Sequence, residues 1–282
     1  MDVDLLPTRQ RMVVLPAADR AAGLADPWTG QLLATDVGVY PRAAGHHRTR
    51  DQGAAELLLM VCTAGRGSVT REGQAPEAVT TGDVIILPAR QAHAYQADDR
   101  TPWTLWWLHL AGAQVDLLPQ AGWLMGGVHD HPEPRAVATA IARVLAALER
   151  GTDAGRRAAA TTAAWGVLSL LHQATLPAED PLVAEAIATL HEHLARPFSV
   201  AGLARQAGLS PSQFAARFKV ATGTGPIDFL LRLRMERAAW LLTNGHQNIE
   251  TIAHQVGYED PAYFSRRFTH HHGCAPRDWR GR

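Results

Sequence analysis

Cysteine and long apolar runs are scarce in this chain of 282 residues, and each scarcity excludes a class of protein. The two cysteines, Cys62 and Cys274, lie too far apart for a metal-binding spacing, so we expect reduced, buried thiols. Apolar runs stay well short of the roughly 18 residues that a membrane span requires. Residues 1–4 are acidic and do not resemble the start of a signal peptide. The sequence therefore predicts a cytoplasmic protein with no membrane contact.

An excess of charge is absent too, because 27 basic residues balance 27 acidic residues. The balance conceals an asymmetry: residues 183–282 hold 12 Lys and Arg against 8 Asp and Glu, whereas residues 1–182 hold 15 against 19. A basic C-terminal part suits contact with phosphates, although this excess alone is weak support. The composition is that of a folded globular protein, and the length allows two domains.

What the chain does contain is a degenerate repeat near its C-terminus. Residues 203–209 read L-A-x2-A-G-L and residues 252–258 read I-A-x2-V-G-Y, and each run is followed by F-x3-F-x4-G-x2-P. The small Ala allows two helices to approach closely, and the Gly permits a tight turn between them. Repeats of fixed period reveal architecture directly. This repeat therefore predicts two helix-turn-helix motifs and a protein that binds double-stranded DNA.

The second helix of each motif has an inward face marked by its two Phe residues. Arg266 lies opposite Phe264 and Phe268 and can bond guanine in a bidentate manner, whereas its counterpart Ala216 can contact only a thymine methyl group. Arg217 and Arg267 lie at the side of their helices and suit contact with phosphates or with acidic side chains. The candidate DNA contacts on both exposed faces are Ser212, Gln213, Ala216, Lys219, Ala262, Ser265, Arg266 and Thr269.

The N-terminal part has the pattern of short strands punctuated by Gly, Pro and Asp, which is typical of a sandwich or small barrel. Residues 1–31, which contain three prolines, are expected to be irregular, and residues 65–67 to form a hairpin turn. Strands are predicted at residues 32–40, 56–63, 68–71, 84–87 and 103–110.

Beyond residue 127 the period becomes helical, with apolar stripes at 133–150 and 156–175. These helices either cap the barrel or form the interface of a homodimer, or do both; a monomer would leave little to bury them against. Thr175 to Pro181 is the predicted linker. The predicted fold class is α+β: a small β-barrel in residues 1–125, a helical dimerisation segment in 126–181, and an all-α domain with two helix-turn-helix motifs in 182–282.

The run 249–280 resembles the signature of the AraC/XylS family of transcription regulators, through the pattern I-x2-I-A-x2-V-G-Y-x4-Y-F-x3-F-x4-G-x2-P-x3-R. The resemblance implies that both second helices enter successive major grooves, joined by a long helix at 227–242. It also implies base contacts at Ser212, Gln213, Ala216, Ala262, Ser265 and Arg266. Ala216 departs from the family, which often has a longer polar residue at this position.

Residues 31–111 resemble the cupin-like effector domain of sugar-responsive members of the same family. The matching pieces are R-x-R at 48–50, expected just before a strand, G-R-G at 65–67, and the runs 82–95 and 102–109. This resemblance implies that Arg50, Tyr95 and Trp107 hold a sugar, with Arg48, His109 and His93 as further candidates. A sugar has hydroxyl groups that suit fork-like donors and an apolar face that suits an indole ring. A small carboxylate is the alternative effector, because Arg48 and Arg50 lie close together.

Four of the eight Trp residues fall within 21 positions, at Trp103, Trp106, Trp107 and Trp123. On a strand, Trp103 and Trp107 share one face with His109, while Trp106 takes the other face. Two alternatives are open: some of these Trp residues contact the ligand, or all of them fill the core of the barrel. We expect His93 to cap a turn rather than to contact the ligand, which favours Tyr95 for that role.

Cupin enzymes hold a metal through clustered His and Glu residues, and the run from Gly82 to His93 echoes half of that pattern. The other half is missing, because the side chains of the adjacent His46 and His47 would diverge on a strand. We therefore expect no metal, no other cofactor and no catalysis. The predicted function is a ligand-responsive regulator that senses a monosaccharide such as a pentose and controls sugar catabolism genes. The alternatives are a cupin-type enzyme with an appended DNA-binding domain and a ligand-independent architectural DNA binder.

Overall fold

The chain divides into two units, Met1–Pro177 and Ala178–Arg282, and the first unit contains two antiparallel sheets. The structure is a computed structural model that describes residues 5–120, 125–176 and 179–280. Its strands are β1 Arg11–Val14, β2 Leu33–Tyr40, β3 His47–Arg50, β4 Leu57–Ala64, β5 Gly67–Arg71, β6 Glu77–Val79, β7 Asp83–Leu87, β8 His93–Ala97, β9 Thr104–Ala111 and β10 Gly127–Asp130. One sheet has the order β1-β2-β9-β4-β7-β10, and the other has the order β3-β8-β5-β6.

Alternation along β9 divides the interior of this unit into two cores. Trp103 and Trp107 pack between the two sheets, whereas Trp106 packs on the opposite face of the six-stranded sheet. The predicted division of the Trp residues between two faces is confirmed, and it follows from the two-residue period of a strand. Trp123 lies outside the described residues.

Helices cover the outer face of the six-stranded sheet. They are α1 Ala17–Ala25, α2 Leu117–Gln120, α3 Pro134–Leu148 and α4 Ala154–Gln173, with a short 3-10 turn at Thr29–Gln31. Apolar residues of α3 and α4 share one core with the sheet, and the Thr161 hydroxyl donates to the carbonyl of Leu32 at 2.9 Å. The helices therefore do cap the sheet. The premise that a monomer leaves their stripes uncovered is wrong, because the sheet itself covers them.

Three local predictions in this unit need correction. Residues 1–31 contain β1 and α1 rather than irregular chain only. Residues 65–67 are not a hairpin turn, because β4 and β5 belong to different sheets and this segment crosses between them. The R-x-R segment lies on β3 rather than before a strand. These strands escape detection because β1 and β3 are short and largely exposed, so they lack a buried apolar alternation.

The second unit is helical throughout its described residues. Its helices are α5 Pro181–Glu192, α6 Val200–Gln206, α7 Pro211–Thr222, α8 Pro226–Asn244, α9 Ile249–Gln255, α10 Pro261–His272 and α11 Pro276–Trp279. The pairs α6–α7 and α9–α10 form the two predicted helix-turn-helix motifs, and the predicted long helix between them is α8. Within the described ranges, no helix is both long and apolar enough to cross a membrane.

Each motif has its own apolar core. Phe214 and Phe218 of α7 are fully buried in one core, and Phe264 and Phe268 of α10 are fully buried in the other. The inward faces predicted from the repeat are thus confirmed. Burial of each such side chain stabilises the unit by about 1.5–3 kcal/mol.

Candidate functional site

A cavity of about 550 Å³ opens in the first unit between its two sheets. It gathers five of the six side chains that the sequence nominated as ligand contacts: Arg48, Arg50, Tyr95, Trp107 and His109. They come from β3, β8 and β9, so sheet packing unites residues that are up to 61 positions apart in the chain. The volume is typical of sites that bind small molecules.

Aromatic rings form one wall of this cavity. The Trp107 indole stacks on the Tyr40 ring, with 5.4 Å between centroids and 24° between planes. Trp107 is 6% exposed, and its Nε1 has no hydrogen-bond partner within the described part of the chain. Gly38 allows the indole to sit there, since a Cβ on Gly38 would lie 2.7 Å from the ring. A ligand with an acceptor group could satisfy this buried N–H.

His46 extends the aromatic wall, and sequence reasoning missed both it and Tyr40 as wall residues. Its ring centroid lies 4.8 Å from Tyr40 and 5.4 Å from Tyr95, and its Nδ1 accepts a hydrogen bond from Trp103 Nε1 at 3.2 Å. Burial lowers the pKa of His46, so the ring is neutral at pH 7. With Nδ1 as the acceptor, Nε2–H remains available as a donor.

Two arginines supply the cationic side of the cavity. Arg48 and Arg50 are separated by one residue on β3, and both line the space. Arg50 Nη1 donates to His93 Nε2 at 3.3 Å, while His93 Nδ1 donates to the carbonyl of Gln91 at 2.9 Å. Burial lowers the pKa of His93, which keeps Nε2 free of a proton and able to accept. His93 therefore positions Arg50 and does not itself line the cavity.

Asp36 and His109 also line the cavity, and the buried Glu56 lies beside His109. His109 Nδ1 lies 3.9 Å from carboxylate oxygens of both Asp36 and Glu56, which is longer than a hydrogen bond. Arg20 of α1 also contacts the Glu56 carboxylate. His109 and Arg20 lower the pKa of Glu56 to about 2, so this buried carboxylate is ionised at neutral pH. Asp36 and His109 can accept or donate hydrogen bonds to a ligand.

The remaining polar groups do not form a metal site. Among the described residues, no group of three His, Cys, Asp or Glu side chains could hold a metal ion.

Cys62 is buried, and burial raises its pKa to about 12, while Cys274 is half-buried; both are free thiols. The tryptophans divide between the two expected roles, because Trp103 and Trp106 fill cores whereas Trp107 lines the cavity.

The second unit presents the outer faces of α7 and α10. The exposed residues on these faces include Ser212, Gln213, Ala216, Lys219, Ala262, Arg266 and Thr269, all of which the sequence nominated. The Arg266 side chain is 68% exposed and lies over the Tyr263 ring at 5.8 Å, with Asp260 at 3.9 Å. Ser265 is half-buried, and its hydroxyl donates to the carbonyl of Pro261.

Of the nominated side chains, three more interact within the protein: Gln213, Arg217 and Arg267. Gln213 completes a capping box at the start of α7, where its Oε1 accepts from the backbone N–H and the hydroxyl of Ser210. Arg217 pairs with Asp180 at 2.7 Å, as the sequence allowed. Burial raises the pKa of the Tyr258 hydroxyl, and the nearby Arg234 and Arg267 offset part of that rise. The Gln213 amide NH2 remains available for other bonds.

Comparison with known proteins matches both units. A family described as AraC-like ligand binding domain matches residues 36–168, and one described as helix-turn-helix domain matches residues 203–282. The chain is 33% identical to the MmsAB operon regulatory protein of Pseudomonas aeruginosa. The alignment is 300 positions long, gaps included, and it covers 98% of this chain and 92% of that protein. It is 22% identical to the lactose operon transcription activator of Staphylococcus xylosus over 241 residues, covering 79% and 83% respectively.

A solved structure with a similar region is the C-terminal domain of AraT, a response regulator from Geobacillus stearothermophilus, with 30% identity and a TM-score of 0.36. The match covers 37% of this chain and 87% of that one. The Pseudomonas protein matches across nearly the full length of both chains, and the two family matches account for the cavity and for the paired motifs. The chain belongs to the AraC family of transcription regulators, with a ligand-binding domain followed by a DNA-binding domain.

Proposed function

We propose that the effector of this regulator is a monosaccharide, such as a pentose, and that the controlled genes serve sugar catabolism. The observation that carries the proposal is the convergence of Arg50, Tyr95 and Trp107 on one cavity of about 550 Å³. The indole would pack against the apolar face of the sugar, while the guanidinium donates to ring or hydroxyl oxygens. The similarity to a lactose operon activator supports this class of effector.

A small hydroxy-carboxylate is a second candidate, favoured by one specific observation. Arg48 and Arg50 both line the cavity, and neither forms an ion pair with a carboxylate within the described residues. The buried Nε1–H of Trp107 is a further unsatisfied donor. A carboxylate is the acceptor that a pair of guanidinium groups binds most strongly.

Matched ligands separate these two candidates. Arabinose and arabinonate, or ribose and ribonate, have nearly the same hydroxyl groups and differ in the carboxylate. A ligand that binds only the native state raises the melting temperature of the purified protein. Stabilisation by the neutral sugars supports the monosaccharide, whereas stabilisation by the acids alone supports the carboxylate. If neither series stabilises the protein or gives heat in calorimetry, both proposals fail.

Two variants locate the binding site of whichever ligand succeeds. Trp107→Phe keeps a ring but removes the N–H and part of the stacking area, so we expect about tenfold weaker binding with the fold intact. Arg50→Gln removes the charged fork and should weaken the carboxylate more than the neutral sugar. Trp240→Phe, on α8 and outside the cavity, is the control and should leave affinity unchanged.

We propose that α7 and α10 read an operator by entering two successive major grooves. Arg266 would bond guanine, and the other nominated exposed residues would contact bases or phosphates. The two helices occupy matching positions in their motifs, and each exposes the face opposite its buried Phe pair. The experiment is selection of binding sites from random DNA duplexes: two separate blocks of preferred bases support reading by both helices, and a single block contradicts it.

We also propose a homodimer that uses the helical segment 126–181, so that two DNA-binding domains occupy a repeated site. Because the sheet already buries the inner stripes of α3 and α4, the contact would use their outer side. Trp28 is 54% exposed and lines a shallow cleft with Trp165 of α4, which offers an apolar surface for a second copy. Light scattering at micromolar concentration should show twice the 30.5 kDa mass, and Trp28→Ser should weaken the association. A 30.5 kDa species alone, with and without operator DNA, would contradict the dimer.

A further inference from the structure

Arg234, in the middle of α8, bonds at once to the backbone of the segment that leads into the first helix-turn-helix motif and to the turn of the second motif. Its Nε donates to the carbonyl of Leu194 at 3.0 Å, and its Nη2 donates to the carbonyl of Arg196 at 3.0 Å. Both carbonyls belong to the segment between α5 and α6, which leads into the first motif. The third nitrogen, Nη1, donates to the carbonyl of Gly257 at 3.1 Å, in the turn of the second motif. One guanidinium thus bridges the segment between α5 and α6 and the turn of the second motif.

The planar guanidinium is suited to this bridge in a way that no other side chain is. It has five N–H donors in a fixed fork, so three acceptors in different directions can be bound simultaneously. A lysine has a single ammonium at the end of a flexible stem and cannot reproduce that fork. Arg234 is half-buried, and its guanidinium also lies over the Tyr258 ring at 5.6 Å.

The turn of the second motif also packs closely against the segment between α5 and α6 at this point. Gly257 has a φ of +83°, and a Cβ there would lie 2.8 Å from the carbonyl oxygen of Ala195 and 2.7 Å from Arg234 Nη2. Gly208 occupies the equivalent turn of the first motif with a φ of +67°, and nothing would lie within 4 Å of its Cβ. Both glycines satisfy the left-handed turn. Of the two, Gly257 alone also permits a close approach to the segment that leads into the first motif.

We propose that Arg234, Gly257 and the carbonyls of Leu194 and Arg196 form a junction that sets the distance and angle between α7 and α10. The junction thereby determines the base-pair spacing that one DNA-binding domain accepts. It holds the entry of the first motif against the turn of the second, in addition to the connection through α8. One base pair of extra spacing moves a site by about 3.4 Å and rotates it by about 35° around the DNA axis, so small changes at the junction alter which spacing fits. The inference rests on the proposed reading of DNA by both helices.

The test uses the full chain and random-sequence DNA duplexes as the probe. The wild-type protein should select two base blocks at one separation, and inserting one base pair between them should weaken binding about tenfold or more. Arg234→Lys and Arg234→Gln should accept separations one base pair longer or shorter, so that the penalty falls to about threefold or less. A purely stabilising role would lower the melting temperature and the amount of folded protein without changing this ratio.

Two matched controls keep the test decisive if the Arg234 variants fold poorly. Gly257→Ala and Gly208→Ala strain equivalent left-handed turns, but only Gly257→Ala disturbs the junction, so only it should broaden the accepted spacing. Arg237→Lys changes an exposed arginine of the same helix and should leave the spacing unchanged. Sharp wild-type spacing in folded Arg234 or Gly257 variants would overturn the junction. A wild-type protein that selects a single block would overturn reading by both helices, and the junction with it.

Discussion

The Arg266 side chain is an exposed hydrogen-bond donor on the outer face of α10, and its guanidinium lies over the ring of Tyr263, near the start of the helix. We predict that Arg266→Ala weakens operator binding by about 1–3 kcal/mol and relaxes the preference at one base pair, since a bidentate bond to guanine is lost. Competition with single-base operator variants measures both effects. Arg277→Ala, in α11 and 81% exposed, removes the same charge and should weaken binding without changing any base preference. An unchanged base preference in the Arg266 variant would remove it from the base-reading residues.

The buried Glu56 is predicted to make stability depend on pH. Its pKa is about 2 in the folded protein, against 4.5 as the ordinary value, so the unfolded chain binds a proton more readily. The stabilisation is therefore complete above about pH 4.5 and is lost as the pH falls toward 2. Glu56→Gln should lower the free energy of unfolding at pH 7 by about 1–3 kcal/mol, and the difference should shrink below pH 4.5.

Urea denaturation of both proteins across this range of pH measures the effect of Glu56. The exposed Glu72→Gln serves as the control and should track the wild-type protein. A difference between Glu56→Gln and wild type that stays constant down to pH 2 would show that the charge of Glu56 is not its source.

At the scale of elements, the capping box at the start of α7 links helix stability to a nominated DNA contact. Ser210 accepts from the backbone N–H of Gln213, and Gln213 accepts from the backbone N–H of Ser210. We predict that Ser210→Ala lowers the free energy of unfolding of the second unit by about 0.5–2 kcal/mol, because the backbone N–H of Gln213 loses its side-chain acceptor. Denaturation followed by circular dichroism measures it. Val220→Ala, at an 89% exposed position of the same helix, should change the stability by much less.

The same element shows why Gln213 cannot be assigned from sequence spacing alone. Helical periodicity placed it beside the exposed face, which the structure bears out, but the capping box engages its Oε1 in the free protein. A base contact through that oxygen would require the box to open. We expect the selected base block under α7 to be less sharply defined than the block under α10, where Arg266 faces outward.

At the scale of the whole molecule, the two units have separate apolar cores, and this predicts unfolding in more than one step. The cores of the first unit contain no residue beyond 177, and those of the second contain none before 183 in the described chain. Calorimetry should therefore show two transitions. An effector bound in the cavity should raise only the transition of the first unit, and operator DNA only that of the second. A single transition that both ligands shift together would mean that the units unfold cooperatively.

The local sequence pattern by itself determined the class of protein and much of its architecture. The repeat around Phe214 and Phe264 predicted both helix-turn-helix motifs, because helical period and turn chemistry act over a few residues. The two-residue period of a strand is equally local, and it predicted the long strands and the two faces of β9. It also nominated Arg50, Tyr95 and Trp107, in part through resemblance to a family whose members share those positions.

Only the tertiary structure decided what those residues meet. It placed His46 and Tyr40 in the cavity wall and His93 behind Arg50, because side chains from distant strands come together when sheets pack. The apolar stripe of α3 packs against the sheet, so it needs no second copy of the chain to bury it. This packing removed the argument for a dimer that was based on uncovered stripes. The tertiary structure also showed that Gly257 and Gly208, which are equivalent in the repeat, differ in their surroundings. The close approach at Gly257 is to Ala195 and Arg234, which are distant in the sequence, so the residues adjacent to Gly257 in the chain do not reveal it.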